Sequence, residues 1–89
     1  MSIYDKAVEL INRSYSFERL RYKVADILKH DGIYVAVDDI QAIMFIKSDD
    51  SIVIDVYLNT IQIFVDIYKN ENRINASILP LIRCRCEDE

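Results

Sequence analysis

The hydrophobic period of the sequence changes at Gly32, the one glycine in the chain. Before Gly32, apolar residues recur every three or four positions, which is the period of an amphipathic helix. After it they mostly alternate with polar residues, which is the period of a half-buried strand. Helices that all precede the strands favour an α+β fold, with the helices covering one face of an antiparallel sheet. The change of period therefore predicts two N-terminal helices packed on a four- to five-stranded meander.

Two serines mark the beginnings of the predicted helices. Ser2 stands three residues before Asp5, the spacing of a capping box, and Ser16 follows a short break in the apolar pattern. Gly32 comes directly after the second apolar stripe, where a helix commonly ends with a left-handed residue. The pattern predicts helices over about residues 2–13 and 16–31.

Turn-forming residues divide the rest of the chain at intervals of about ten residues, the spacing of an antiparallel meander. The predicted strands cover residues 33–37, 41–47, 52–58, 61–68 and 73–79. Two points stay open: Asp38 can instead cap a short helical turn within residues 38–44, and Pro80 either ends the last strand or marks it as an edge. We expect residues 1–89 to form a single domain that ends in an acidic tail at residues 87–89.

The stretch from Ile52 to Tyr68, IVIDVYLNTIQIFVDIY, predicts a hairpin with two unlike faces. If Asn59 and Thr60 form a two-residue turn, Leu58 pairs with Ile61 and the remaining pairs follow. One face is then wholly aliphatic, and its members are Ile52, Ile54, Val56, Leu58, Ile61, Ile63, Val65 and Ile67. We expect this face to lie under the helices.

The opposite face of the hairpin mixes aromatic side chains with two carboxylates. Asp55 then faces Phe64 and Asp66 faces Val53, so the two acids are diagonal neighbours at roughly 7–8 Å between Cα atoms. The strand before the hairpin adds either Ile43 and Phe45 or Ala42 and Met44. The residues predicted to bind a partner are Asp55, Tyr57, Phe64, Asp66 and Tyr68.

The composition of this mixed face is the reason for that prediction. A face open to solvent is expected to use Thr, Lys and Glu, and a buried face excludes an unpaired Asp because burying the carboxylate is costly. Aromatic anchors in partly hydrated surroundings are typical of contact surfaces. We expect Asp55 and Asp66 to keep the aromatic surface soluble and to give it a negative sign.

The sequence predicts no catalytic residue, no metal site and no cofactor. Asp55 and Asp66 have the spacing of an acid–base pair, yet an open sheet face provides no cleft around them. His30 has no nucleophilic serine or cysteine near it in the sequence. The pairs Asp38-Asp39 and Asp49-Asp50 lack the alternating ligands and central glycine of a calcium loop, and one glycine is too few for a phosphate-binding loop.

Cys84 and Cys86 are the two cysteines, and a single residue separates them. That spacing is poorly suited to an intramolecular disulfide, and a zinc site normally requires four ligands. We expect reduced, structurally ordinary thiols, with a disulfide or metal shared between the chains of a dimer as the alternative.

The net charge of −4 is unevenly divided along the chain. Residues 1–37 contain six basic and five acidic residues, whereas residues 38–89 contain five basic and ten acidic ones. Phosphates repel an acidic chain, so general nucleic-acid binding is not expected. The second predicted helix nevertheless carries four basic residues, Arg19, Arg21, Lys23 and Lys29.

The sequence shows neither the pattern of a signal peptide nor a run of about 18 apolar residues that would predict a membrane helix. We expect a cytoplasmic protein, which would be the host cytoplasm if the source is viral. No small-molecule substrate is evident.

These observations predict a non-enzymatic protein that binds a protein partner, or a second copy of itself, through the mixed face or an edge strand. A sharper form is a small acidic inhibitor of the kind encoded by phages and mobile elements, which presents carboxylates where nucleic-acid phosphates would lie. Two alternatives stay open. One is a homodimer that binds nucleic acid through the basic second helix, and the other is a small enzyme whose site forms at a dimer interface.

Overall fold

The computed structural model describes residues 2–70 and 74–81 and has an α+β fold, as the sequence predicts. Two helices, a short 3₁₀ helix and four strands follow one another along the chain. Their bounds are α1 Ile3–Asn12, α2 Phe17–His30, the 3₁₀ helix Val37–Asp39, β1 Ala42–Lys47, β2 Ser51–Tyr57, β3 Ile61–Tyr68 and β4 Ile74–Pro80. The strands form one open antiparallel sheet in the order β1-β2-β3-β4.

Both helices begin at the serines that the sequence indicates. The Ser2 hydroxyl accepts a hydrogen bond from the Asp5 backbone N–H at 3.1 Å, and the Ser16 hydroxyl accepts one from the Arg19 N–H at 3.3 Å. These bonds satisfy backbone donors that have no partner within the first turn of a helix.

The C-terminus of α2 ends in a Schellman motif built on Gly32. Gly32 has φ 78°, its N–H donates to the Lys29 carbonyl, and the Ile33 N–H donates to the Leu28 carbonyl, both at 3.0 Å. A left-handed conformation is accessible to glycine without a Cβ penalty, so this residue can turn the chain out of the helix.

The predicted strand at residues 33–37 is wrong. Residues 33–36 are extended but belong to none of the four strands, and Val37–Asp39 forms the 3₁₀ helix. The alternation is real, because Ile33 and Val35 are half-buried while Tyr34 is exposed. A period of two indicates an extended chain that is buried on one side. An extended chain can have this pattern without pairing with a neighbouring strand.

A short helical turn, the alternative for residues 38–44, is therefore present, but it begins two residues earlier than predicted. Ala36 stands at its N-cap position without a side-chain hydrogen bond, so Asp38 lies inside the turn and does not cap it. The Ile40 side chain that follows is 1% exposed and joins the core. From Ala42 onward the chain is strand, as predicted.

The hairpin of β2 and β3 has the predicted register. The Leu58 N–H donates to the Ile61 carbonyl at 2.9 Å across the two-residue turn, and Asp55 pairs with Phe64. Seven of the eight predicted aliphatic side chains are buried, and Ile61 is half-buried. α1 packs on β2 and β3, and α2 adds Val24, Ile27 and Leu28 to the same core.

The outer strands settle the two remaining sequence alternatives. β1 pairs with β2 so that Met44 lies opposite Asp55 and Ala42 opposite Tyr57, which places Ile43 and Phe45 on the helix side. β4 is an edge strand and also ends at Pro80. Both predictions for Pro80, that it ends the strand and that it marks an edge, are therefore confirmed. The predicted acidic tail at residues 87–89, Cys84 and Cys86, and the predicted first residue of this strand lie outside the described residues.

Candidate interaction surface on the outer sheet face

The face of the sheet opposite the helices is the candidate functional site, and we call it the outer face. Its members follow from the strand register. They are Ala42, Met44 and Ile46 of β1; Ser51, Val53, Asp55 and Tyr57 of β2; Gln62, Phe64, Asp66 and Tyr68 of β3; and Asn75, Ser77 and Leu79 of β4. All five residues predicted to bind a partner belong to it.

Cross-strand rows organise the outer face. The central row runs Met44, Asp55, Phe64 and Ser77, so the Asp55 carboxylate lies between two large apolar side chains. The neighbouring rows are Ala42, Tyr57, Gln62, Leu79 and Ile46, Val53, Asp66, Asn75. No lysine or arginine belongs to the face in the described part of the chain, so its formal charge comes from Asp55 and Asp66 alone.

Asp55 is only 5% exposed, although it lies on the side of the sheet that the helices leave uncovered. The expectation that it keeps this surface soluble is therefore wrong. The side chains that flank it across the strands, Met44 and Phe64, are large enough to exclude water from a residue between them. Asp66 is half-buried and keeps part of the predicted role.

Gln62 provides the polar contact that makes the burial of Asp55 tolerable. Its Nε2 donates a hydrogen bond to Asp55 Oδ1 at 2.9 Å. A carboxylate removed from water must regain hydrogen bonds, because an unsatisfied buried charge is costly. Gln62 is not among the residues that the sequence predicts to be functional, yet the predicted register makes it a diagonal neighbour of Asp55, within reach of a long side chain.

Tyr57 lies two positions from Asp55 on the same strand and face. Hydrogen bonding to the Asp55 carboxylate raises the pKa of the Tyr57 phenol above its usual 10.0, and desolvation and the negative charge of Asp55 act in the same direction. The phenol therefore stays protonated and neutral across the physiological range. Asp55, Gln62 and Tyr57 form a polar cluster at the centre of the outer face.

Large apolar side chains surround this polar cluster and are open to solvent. Met44 is 52% exposed, Ile46 is 54% exposed and Leu79 is 45% exposed. Tyr68 is also exposed at the end of β3, and Phe64 is half-buried beside Asp55. Met and aromatic side chains are enriched at protein–protein contact surfaces, although such surfaces usually have their apolar groups at the centre and their polar groups at the rim.

The other residues weighed from the sequence do not join the outer face. His30 is exposed at the end of α2, and the acid pairs at residues 38–39 and 49–50 are exposed as well. Within residues 2–70 and 74–81, no group of three or more His, Cys, Asp or Glu side chains is arranged to hold a metal ion. Nor is either described helix long and apolar enough to cross a membrane.

Two of the basic residues of α2 rest on aromatic rings. The Arg21 guanidinium carbon lies 5.2 Å from the centre of the Phe17 ring, and Lys23 Nζ lies 5.0 Å from that of Tyr15. Arg21 is half-buried, and its Nε has no hydrogen-bond partner among the described residues. Arg21 is thereby partly withdrawn from solvent, whereas Lys23 is exposed and still presents its charge.

Three shallow grooves lie on other parts of the surface. One of 310 Å³ separates α1 from α2, with Leu10 and Ile27 at its base, and one of 290 Å³ runs between α2 and the extended segment near Tyr34. The third, of 400 Å³, lies beside the turn at Asn59. None of these three is lined by His30, Asp55 or Asp66.

No protein-family model, curated protein or solved structure matches this chain.

Proposed function

We propose that this protein is a non-enzymatic interaction module that binds a protein partner through the outer face. The observation that carries the proposal is the composition of that face. It combines exposed apolar side chains, half-buried aromatic rings and two carboxylates without a basic residue among its described members.

The charge of the outer face indicates the chemistry of the partner. Asp55 has a hydrogen-bond donor in Gln62 but no cation on the same face in the described part of the chain. A basic side chain of a partner that contacts Asp66 and reaches Asp55 would complement both acids, and the surrounding apolar groups would exclude water from the contact. The preferred partner therefore carries a lysine or arginine within an apolar patch.

The narrower hypothesis of a nucleic-acid mimic depends on acids that are open to solvent. Asp55 presents little charge because it is nearly buried, so Asp66, Asp49 and Asp50 would have to carry the mimicry. Such binding would weaken steeply with salt, since it replaces phosphate contacts. A complex that is stable at high salt would favour the apolar outer face as the source of affinity over this mimicry.

Affinity capture with the full chain, followed by calorimetry on the captured protein, tests the proposal. We expect Met44→Lys to weaken binding at least tenfold, because it adds a positive charge to the centre of the outer face. Tyr34→Lys is the matched control, since Tyr34 is 75% exposed but does not belong to the outer face. Unchanged affinity of Met44→Lys, or equal losses in both variants, would contradict binding through the outer face.

A further inference from the structure

We propose that the free edge of β4 pairs with β4 of a second copy, which joins the two sheets into one continuous antiparallel sheet. This surface is separate from the outer face, so the proposal does not depend on the partner described above. It rests on the backbone, charge and side-chain features of β4.

Among the described residues, the outward side of the β4 backbone has no hydrogen-bond partner. The Leu81 N–H donates to the Thr60 carbonyl at 2.8 Å, which sets the phase of bonding between β3 and β4. Because bonding alternates along an antiparallel pair, every second residue back from Leu81 is bonded to β3. The residues between them direct their N–H and C=O groups away from the sheet, and these are Ile74, Ala76 and Ile78.

Within β4, Pro80 at the end of the strand is the one residue that opposes such pairing, because it lacks an N–H. The strand reads INASILP and contains no charged residue. Natural edge strands are commonly protected by charged side chains. The other edge strand, β1, has such a residue, because Lys47 is the last of its outward-directed positions. The net charge of −4 repels a second copy in general, but no like charges meet along β4 itself.

The aliphatic layer under the helices is incomplete at this edge. Ile78 lies on the helix side opposite Ile63, yet Ile78 is 52% exposed whereas Ile63 is fully buried. At the other edge of the sheet the corresponding residues Ile43 and Phe45 are half-buried. A second copy placed along β4 would extend the layer and cover Ile78.

A two-fold axis at Ser77 gives a register in which all seven residues of β4 overlap. Ala76 then exchanges both backbone hydrogen bonds with Ile78 of the second copy, and Ile74 lies opposite Pro80. Pro80 has no N–H, but its carbonyl accepts from the Ile74 N–H. The interface is isologous and closes at a dimer, because each edge is used once.

Sedimentation equilibrium of the full chain tests this dimer. A single strand pair buries less than the roughly 1,200 Å² of a standard interface, so we expect a dissociation constant in the micromolar range. Ile78→Lys should weaken the dimer at least tenfold. Ile46→Lys is the matched control, because Ile46 is 54% exposed on the outer face, and its dimer constant should change less than twofold.

Amide hydrogen exchange provides a second readout that needs no substitution. Raising the protein concentration should protect the Ala76 and Ile78 amides, while the outward amides of Ile43 and Phe45 on β1 stay unprotected. A chain that stays monomeric at millimolar concentration overturns the proposal. So does a dimer that Ile46→Lys disrupts and Ile78→Lys does not, since that dimer would form through the outer face.

The two proposals fail separately. Ile78→Lys should leave binding of a basic protein partner unchanged, and Met44→Lys should leave the dimer unchanged.

Discussion

Gln62→Leu is expected to destabilise the protein, because it removes the hydrogen bond from Gln62 Nε2 to Asp55 Oδ1 at 2.9 Å. Leucine is similar in size to glutamine, so the substitution changes polarity more than packing. A hydrogen bond to a charged group contributes about 1.5–3 kcal/mol to stability. Gln62 is half-buried, so water can replace part of the lost bond, and we expect a loss of about 1.5–2 kcal/mol.

The expected loss is large enough to measure by thermal or urea unfolding followed by circular dichroism. For a domain of this size, about 1 kcal/mol corresponds to roughly 4–8 °C in Tm, so Tm should fall by roughly 6–16 °C. Asn75→Leu is the matched control. It replaces an exposed amide on the same face and should change stability by no more than about 0.5 kcal/mol.

A double-mutant cycle separates the hydrogen bond from other effects of the substitution. In the background of Asp55→Leu, Gln62 has no carboxylate to contact, so Gln62→Leu should cost less than about 0.5 kcal/mol there. An equal cost in both backgrounds would refute the reasoning, because the effect would then come from packing or strand propensity. So would a loss no greater than that of the Asn75→Leu control.

Two further predictions concern the pH dependence of the outer face and the core beneath it. The pKa of Tyr57 is raised in the folded state, chiefly by Asp55, so the contribution of Tyr57 to the free energy of unfolding should be constant below the unfolded value near 10.0 and fall as the pH rises above it. Asp55→Asn should lower that pKa towards 10.0 in an NMR titration, and a pKa that stays raised would show that Asp55 is not its cause. Ile54→Ala should cost about 2–5 kcal/mol in urea unfolding, because Ile54 is fully buried under the helices. The same change at the exposed Ile46 should cost under about 1 kcal/mol, and similar losses at both sites would contradict the two-faced hairpin.

The hairpin could be predicted because several independent signals agree. The turn at Asn59 and Thr60 sets the register of the two strands, and side chains alternate between the faces with a period of two. A shift of register by one residue would therefore move every aliphatic side chain to the wrong face. The caps at Ser2, Ser16 and Gly32 were predictable for a similar reason, since each depends on residues within one or two turns of helix.

The segment from Ile33 to Val37 shows where that reasoning fails. Its alternation predicts an extended chain correctly but carries no information about a neighbouring strand. Pairing requires a free sheet edge at the right distance, and that depends on where the Schellman motif at Gly32 directs the chain. The apolar side chains of this segment are buried by packing against α2 and the core, so burial does not require hydrogen bonding to a neighbouring strand.

The sequence alone determined which residues of the β2–β3 hairpin share the outer face, because strand periodicity sorts side chains to one side or the other whatever the rest of the fold does. The pairing of β1 with β2 decided which residues of β1 join them. Only the tertiary structure decided how exposed each of them is. Burial depends on the neighbours across the strands, and β1 places Met44 beside Asp55. Asp55 is thereby changed from an expected solvent-facing acid into a buried carboxylate held by Gln62, while Ile78 is left open at the edge of β4.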